Sequence, residues 1–373
     1  MIDAVELASR LVRFDTVNPP GRERGCGEYL ASILEHNGFR AELVPLDDSR
    51  ASVVARRGRP RGAPFVLTGH IDVVPLGTRP WARDPFGGEI ADGRLHGRGS
   101  SDMKSGVAAM VAAAVAEIAH VENDMEVVLV ITAGEETGCD GARAIVEAKL
   151  VDRAAALIVG EPTANAAYVG HKGALWLKAI AEGITAHGSM PEKGDNAVYK
   201  AARAVNRLET FAFDHAGHPV LGKPTLNVGT FHGGLNINSV PDRAEIEIDL
   251  RTIPGIDHAA LRRDIAAHMR EDLRIETLID LPGIWTSPQT PWVERVGRIV
   301  ADVTGEPARI KTATYFSDAS VLAPAIGAPP TLILGPGEPQ LAHQTDEWCS
   351  VERIGQATTI YRRIMADWAA HLA

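Results

Sequence analysis

The sequence predicts an α/β protein in which a sheet carries helices on both faces and a second, smaller α+β unit is inserted. Two observations lead to this prediction. Apolar runs alternate with a helical segment in the first half, whereas a β-α-β-β-α-β pattern occupies residues 174–281. With 373 residues, 45% of them hydrophobic, the chain is long enough to bury a core in each of two domains.

Four short apolar runs have the composition of buried parallel strands. They lie at residues 65–67, 125–131, 157–159 and 331–334. The alanine-rich residues 103–120 predict a helix with Asp102 at its N-cap. Polar residues follow each run, and in such sheets ligands bind beyond the carboxyl ends of the strands. We therefore expect the functional residues at that edge.

The inserted unit is predicted to be ferredoxin-like. Its predicted strands and helices lie, in chain order, at residues 175–180, 196–211, 225–231, 244–251, 257–270 and 275–279. Glycine and proline residues between these segments supply the turns. The predicted boundaries give one domain from residues 1–173 and 284–373 and an inserted domain from residues 174–283.

The composition restricts the kinds of molecule that this protein is expected to bind. A net charge of −10 and a pI near 5.7 disfavour nucleic acid and acidic membranes, which bind basic surfaces. The N-terminus lacks the pattern of a secretory signal, and no apolar run of about 18 residues predicts a membrane span. Cys26, Cys139 and Cys349 are far apart and show no metal-binding spacing. We expect a cytoplasmic protein that acts on a small molecule.

Two histidines and several carboxylates follow the predicted strands. They are His70, Asp72, Asp102, Glu135, Glu136, Glu161 and His343. Brought to one edge of a sheet, these carboxylates would repel one another unless cations lay between them. Mixed nitrogen and oxygen ligands suit zinc, with cobalt or manganese as alternatives.

Simpler interpretations stand beside this one. His70 and His343 could be ordinary strand-end or surface histidines, and Asp102 could serve only as an N-cap. A solvated turn at Glu135 and Glu136 is disfavoured because the preceding run is predicted to be buried. The glycines of "GRGSSDMKSG" lack the spacing of a phosphate-binding loop.

Several motifs together resemble one enzyme family. In chain order they are "TGHIDVVP", "GRGSSDMKSG", "TAGEETG", "GEPT", "AHGSMP", "HGGLNINSVPD", "DLR" and "LGPG". They resemble the dinuclear-zinc amidohydrolases that include acetylornithine deacetylase, succinyl-diaminopimelate desuccinylase, aminoacylase and carboxypeptidase G type enzymes. This resemblance runs nearly end to end. It implies a zinc-peptidase-like sheet with an inserted lid and dimerisation domain.

The resemblance also implies a ligand set for two divalent cations. Asp102 would bridge both ions, His70 and Glu161 would complete one site, and Glu136 and His343 the other. Zinc is the expected metal, with cobalt or manganese possible.

The implied reaction is hydrolysis of the amide bond of an N-acyl amino acid. Glu135 would act as general base on a water shared by the cations and then as general acid, and Asp72 would orient the His70 imidazole. The stretches "GHKG", "PTLNVG" and "AHQTDE" favour an acetylornithine deacetylase-like enzyme. Desuccinylation of succinyl-diaminopimelate, dipeptide cleavage and hydrolysis of other N-acyl compounds remain alternatives. A catalytically silent scaffold is a different class of hypothesis.

Four residues are candidates for substrate recognition, three in the inserted domain and Lys172 just before it. Arg251, Asn238 and Lys172 could bind a substrate carboxylate, and His187 resembles a lid histidine that reaches the partner's active site in dimeric relatives. Arg251 could instead pair with an acid of its own strand, "EIEIDLR". A homodimer formed through the lid is implied by the resemblance.

Overall fold

The computed structural model describes residues 2–59 and 62–371. Its α-helices are α1 Ala4–Val12, α2 Arg24–His36, α3 Ser105–Val121, α4 Asp140–Glu147, α5 Ala197–Leu208, α6 His258–Met269, α7 Pro291–Thr304, α8 Ala319–Ala325 and α9 Val351–Ala370. Its strands are β1 Arg40–Pro45, β2 Ala51–Gly58, β3 Phe65–His70, β4 Glu89–Ala91, β5 Arg94–His96, β6 Glu126–Thr132, β7 Ala156–Val159, β8 Tyr168–His171, β9 Gly173–Glu182, β10 Ala186–His187, β11 Thr225–Gly233, β12 Ser239–Val240, β13 Arg243–Thr252, β14 Leu273–Leu281, β15 Ile284–Trp285, β16 Lys311–Ala313, β17 Thr331–Ile333 and β18 Trp348–Ser350.

The chain divides into two compact units. The first consists of Met1–Gly170, Trp285–Thr312 and Ser317–Ala373. The second consists of His171–Ile284 and Ala313–Phe316. Each unit has its own cluster of buried apolar side chains.

A mixed sheet forms the centre of the first unit. Its strand order is β1-β2-β6-β3-β7-β17-β8-β15, with β16 paired to β8. The four strands β6, β3, β7 and β17 run parallel, as the apolar runs predict, whereas β2 and β8 are antiparallel to their neighbours β6 and β17. The α/β fold class is confirmed.

Both faces of this sheet are buried along its central strands. Phe65 and Leu67 of β3 join the main core cluster, whereas Val66 between them is fully buried outside that cluster. Because successive side chains of a strand point to opposite faces, such a strand needs cover on both sides.

Helix α3 packs against α1 and α9 in the main core. Among the described residues, Ser100–Val121, which consists of an irregular turn at Ser100–Lys104 followed by α3, is the one helical stretch long and apolar enough to cross a membrane, and 78% of its apolar part is buried within the fold. A buried core helix can have the same length and apolar composition, so this segment is weak evidence for a membrane span.

The predicted start of α3 is wrong. The helix begins at Ser105, and the N-cap position belongs to Lys104 rather than Asp102. Asp102 has φ −119° and ψ 94°, which are extended rather than helical dihedrals. Its amide donates to the carboxylate of Glu347 at 2.9 Å, so a tertiary contact holds this segment out of the helix.

The second unit has the ferredoxin-like arrangement. Its antiparallel sheet has the order β11-β13-β9-β14, and α5 and α6 connect these strands in the predicted β-α-β-β-α-β order. Strand β13 alternates buried and half-buried residues, as expected when one face covers a core. The Asn196 side chain accepts a hydrogen bond from the Tyr199 amide and caps α5.

Candidate metal centre

The ends of three parallel strands bring the predicted ligands together within the first unit. His70 is the last residue of β3, while Glu135 and Glu161 follow shortly after β6 and β7. Gly134 has a φ of 73°, which favours glycine and lets the chain turn directly after β6. Because β3 is paired in parallel with both neighbours, its end meets theirs at one edge of the sheet.

Asp102 lies between the two predicted histidine ligands. Its Oδ1 is 3.2 Å from His70 Nε2, and its Oδ2 is 3.4 Å from His343 Nε2. Two atoms that each bind a tetrahedral zinc ion at about 2.0–2.1 Å lie about 3.3 Å apart. The spacing on both sides of the carboxylate therefore fits one cation on each side.

The remaining candidates complete two groups. Glu161 Oε1 lies 3.7 Å from His70 Nε2, and Glu136 Oε1 lies 3.2 Å from His343 Nε2. Ligand atoms of His70, Glu135 and Glu161 all lie within 4.8 Å of one another, as do those of His70, Asp102 and Glu136. The structure thus brings all five predicted metal ligands and Glu135 into one cluster.

The hydrogen bonds of His70 indicate how its ring is oriented. Its Nδ1 lies 2.9 Å from the backbone carbonyl of Asp72, which can only accept, so Nδ1 carries a proton. In the neutral tautomer Nε2 then presents a lone pair to the carboxylates of Asp102 and Glu161. Such a contact is repulsive unless a cation or a second proton lies between the atoms, and a metal ion satisfies all three groups.

The electrostatics of the cluster also require positive charge. Burial raises the pKa of Glu135 well above its usual range, and the carboxylates of Glu161 and Glu136 raise it further, although His70 opposes them. Burial likewise raises the pKa of Glu161. Four carboxylates face two imidazoles here, so even two imidazolium ions would leave negative charge in excess. Divalent cations fit this donor set.

His343 differs from the other ligands in its exposure. Its side chain is 52% exposed, whereas that of His70 is 1% exposed. Hydrogen bonds to Asp102 and Glu136 raise the pKa of His343 to about 10. The interpretation of His343 as an ordinary surface histidine does not explain why it faces two carboxylates.

Asp72 lies beside the His70 ring, as its predicted role requires, and it also contacts a second segment. The 2.9 Å contact with His70 Nδ1 comes from the Asp72 carbonyl, and the nearest carboxylate oxygen is 3.5 Å away. The carboxylate also accepts the amides of Glu135 at 3.1 Å and Glu136 at 3.2 Å, and the Asn18 side chain at 3.0 Å. The Asp72 carboxylate therefore also fixes the turn that carries Glu135 and Glu136. This turn is short enough for one side chain to bind both amides.

Two further buried side chains, Asp318 and Asn18, lie beside the cluster and were not predicted. Asp318, within the stretch "TATYFSDAS", accepts a 2.5 Å hydrogen bond from the Thr132 hydroxyl at the end of β6. Burial raises the pKa of Asp318 to about 6. Asn18 lies in the unremarked stretch "TVNPPG" and joins Asp72 to Thr137. The sequence offers one signal for Asp318: it is an acidic residue directly before the small residues of a short helix.

The substrate-binding candidates all belong to the second unit. His187 is exposed, lies beside Asn238 through the β10–β12 pairing, and its ring contacts the Ser189 hydroxyl at 2.7 Å. Arg251 Nε lies 3.0 Å from an Asp249 carboxylate oxygen, which is the pairing weighed as an alternative.

The predicted substrate ligand Lys172 already has a backbone partner. Its Nζ donates to the carbonyl of Lys223 at 2.7 Å. Burial lowers the pKa of Lys172, and the neighbouring Arg251 lowers it further. Lys172 and Arg251 therefore both already have acceptors within the second unit.

Taken together, the parallel strand ends and the histidine–carboxylate cluster define a metal-dependent hydrolase. The chain matches peptidase family M20/M25/M40 over residues 66–367, and it belongs to that family of metal-dependent amidohydrolases.

Similar proteins agree with this assignment. A succinyl-diaminopimelate desuccinylase from Cereibacter sphaeroides is 34% identical over 387 residues, covering 99% of this chain and all of that one. A probable succinyl-diaminopimelate desuccinylase from Staphylococcus epidermidis is 30% identical, covering 97% of this chain and 96% of that one. An M20 family metallo-carboxypeptidase from Sulfolobus solfataricus has a TM-score of 0.82 at 17% identity, covering 99% of this chain and 100% of that one. This last similarity concerns the fold.

Proposed function

We propose that this protein hydrolyses the amide bond of N-succinyl-diaminopimelate, releasing succinate and diaminopimelate, with two divalent cations bound at the histidine–carboxylate cluster. The observation that carries the reaction is the Asp102 carboxylate, whose two oxygens face different histidines. The desuccinylase names of relatives 30–34% identical support the substrate. They favour this alternative over the acetylornithine deacetylase predicted from "GHKG" and "AHQTDE", which ranks second.

In this proposal five residues hold the cations. His70, Asp102 and Glu161 form one ligand set, and Asp102, Glu136 and His343 form the other. Zinc suits these donors, with cobalt or manganese as alternatives. When bound, the cations polarise the scissile carbonyl and lower the pKa of a water molecule.

Glu135 moves the proton in the proposed reaction. It accepts a proton from the attacking water as the water oxygen bonds to the acyl carbon, and it donates that proton to the amine nitrogen as the C–N bond breaks. Burial raises the pKa of Glu135, which makes its protonated form accessible for the second step. The Asp72 carboxylate accepts the Glu135 amide, which helps to fix the position of the base in the turn after β6. No covalent enzyme intermediate is needed.

The second unit supplies recognition in this proposal. Arg251, Lys172 and Asn238 would bind the carboxylates of the substrate, and His187 would assist from a partner subunit in a homodimer formed through this unit. Succinyl-diaminopimelate carries several carboxylates, so more than one positively charged side chain is expected to bind it. The three cysteines are buried free thiols, which suits the expected reducing cytoplasm.

The test is amine release by the purified chain after removal of metal and reloading with zinc or cobalt. The substrates are N-succinyl-diaminopimelate, N-acetylornithine, other N-acetyl amino acids and dipeptides. We expect metal-dependent turnover with the highest kcat/KM for the succinyl substrate. A higher kcat/KM for N-acetylornithine would reverse the ranking, and two bound metals without any turnover would favour a silent scaffold.

A further inference from the structure

A buried carboxylate outside the proposed ligand set organises the loop that carries Asp102. Glu347 is fully buried, and it lies four residues after His343 in the segment that precedes β18. Strand β18 pairs with β5, and the Gly97 amide continues this pairing by donating to the Glu347 carbonyl at 2.9 Å. The pairing brings the Glu347 side chain alongside the loop that leads to Asp102.

Three backbone amides of that loop converge on one carboxylate. The Ser101 and Asp102 amides donate to Glu347 Oε1 at 2.8 and 2.9 Å, and the Gly99 amide donates to Oε2 at 2.9 Å. Gly99 has a φ of 81°, and a Cβ there would lie 2.5 Å from the Val73 side chain. Gly99, in the glycine-rich stretch "GRGSSDMKSG", thus allows the backbone amides to surround the Glu347 carboxylate instead of a phosphate.

An arginine closes the arrangement from the other side. Arg98, which is 1% exposed and four residues before Asp102, donates to Glu347 Oε2 at 2.8 Å. The same guanidinium reaches the carbonyls of Gln344 at 3.1 Å and Pro75 at 3.2 Å. The Arg98–Glu347 pair therefore joins the segment of Asp102 to the segment of His343. Both segments supply proposed ligands of the second cation.

We infer that Glu347 is a positioning residue for the metal centre, which holds the Asp102 backbone so that its carboxylate can serve both cation sites. Four hydrogen bonds to a buried, charged acceptor hold this loop more tightly than solvent contacts could. Positions of metal ligands must be kept within about 0.5 Å for full affinity, and residues that hold ligands from behind typically contribute 10–100-fold to metal affinity or activity. The inference rests on the ligand set of the proposed function.

The test is a cobalt titration of Glu347→Gln, followed by absorption of the bound ion. A glutamine amide presents one oxygen and one NH₂ group, so its NH₂ group must face N–H donors of the loop or Arg98. We expect both cobalt equivalents to bind about 10–100-fold more weakly, with an altered spectrum, because Asp102 belongs to both ligand sets. His343→Ala should weaken one equivalent only.

Glu117→Gln is the matched control. Glu117 is also a buried glutamate paired with an arginine, Arg362 at 3.1 Å, but it lies near the end of α3, away from the metal ligands. We expect the Glu117→Gln protein to keep wild-type cobalt affinity even if its free energy of unfolding falls as much as that of Glu347→Gln. Folded Glu347→Gln protein with wild-type affinity for both equivalents would overturn the inference. If that variant does not fold, Arg98→Lys is judged by the same criterion, with a smaller expected loss.

The titration separates the inference from the proposed function. If the wild type binds two cobalt ions but hydrolyses no substrate, the proposed function fails and the inference is still decided by the affinities. If the wild type binds no cobalt, both fail.

Discussion

The two units hold their candidate functional residues in different ways. In the first unit, His70, Glu135 and Glu161 are at most 4% exposed and lie within 4.8 Å of one another. In the second unit, His187 and Asn238 are exposed, and Arg251 is paired with a neighbour on its own strand. The first arrangement is built by folding alone, whereas the second has no comparable preformed cluster among the described contacts.

The largest expected effect tests the division of roles within the cluster. Glu135→Gln keeps the shape of the side chain but removes its ability to accept a proton. We expect kcat to fall about 10²–10⁴-fold while two metal ions stay bound, measured by turnover and metal analysis on the same sample.

The neighbouring glutamate provides the matched control for that variant. Glu136→Gln should lose metal affinity as well as turnover, because Glu136 faces His343 as a proposed ligand. Loss of metal from Glu135→Gln would instead make Glu135 a ligand, which its place beside His70 and Glu161 would permit. Unchanged turnover would exclude Glu135 as the base.

A smaller effect is expected from charge reversal in the second unit. Arg251→Glu should raise KM about 10–100-fold, because hydrogen bonds between charged groups contribute about 1.5–3 kcal/mol, and it should leave metal content unchanged. Arg274→Glu is the control, since Arg274 lies in the same unit and pairs with Glu276. Equal effects of the two substitutions would mean that Arg251 has no specific role in recognition.

The smallest expected effect concerns the stability of the second unit. Burial lowers the pKa of His171 from 6.5 to about 4, so the folded chain keeps this ring neutral where the unfolded chain protonates it. The free energy of unfolding is therefore highest above pH 6.5 and falls as the pH drops toward 4, and the loss has reached about 1 kcal/mol at pH 5.5.

Urea unfolding at pH 7.5 and pH 5.5 measures this contribution. His171→Gln should show a smaller drop in unfolding free energy between the two pH values than the wild type, and the difference between the drops removes the titration of all other groups. Identical drops in both proteins would contradict the assignment.

Much of the fold was predictable from local patterns. Buried parallel strands need continuous apolar runs, and the four predicted runs are the four parallel strands of the sheet. The β-α-β-β-α-β order of the second unit likewise follows from segment lengths and turn residues. Adjacent glutamates after a buried run require a compensating charge, so Glu135 and Glu136 pointed to a metal centre before any geometry was available.

Contacts between distant segments were decided by the tertiary structure alone. The local pattern makes Asp102 a helix cap, but an acid 245 residues later in the chain takes its amide and holds it extended. Asp72 was expected to orient His70, and only the tertiary structure adds that its carboxylate also accepts two amides from the turn after another strand. The sequence by itself determined which residue types meet at the sheet edge, because strand pattern sets where each strand ends. Only folding decided which atoms each of them binds, because hydrogen-bond partners depend on distances that no spacing along the chain encodes.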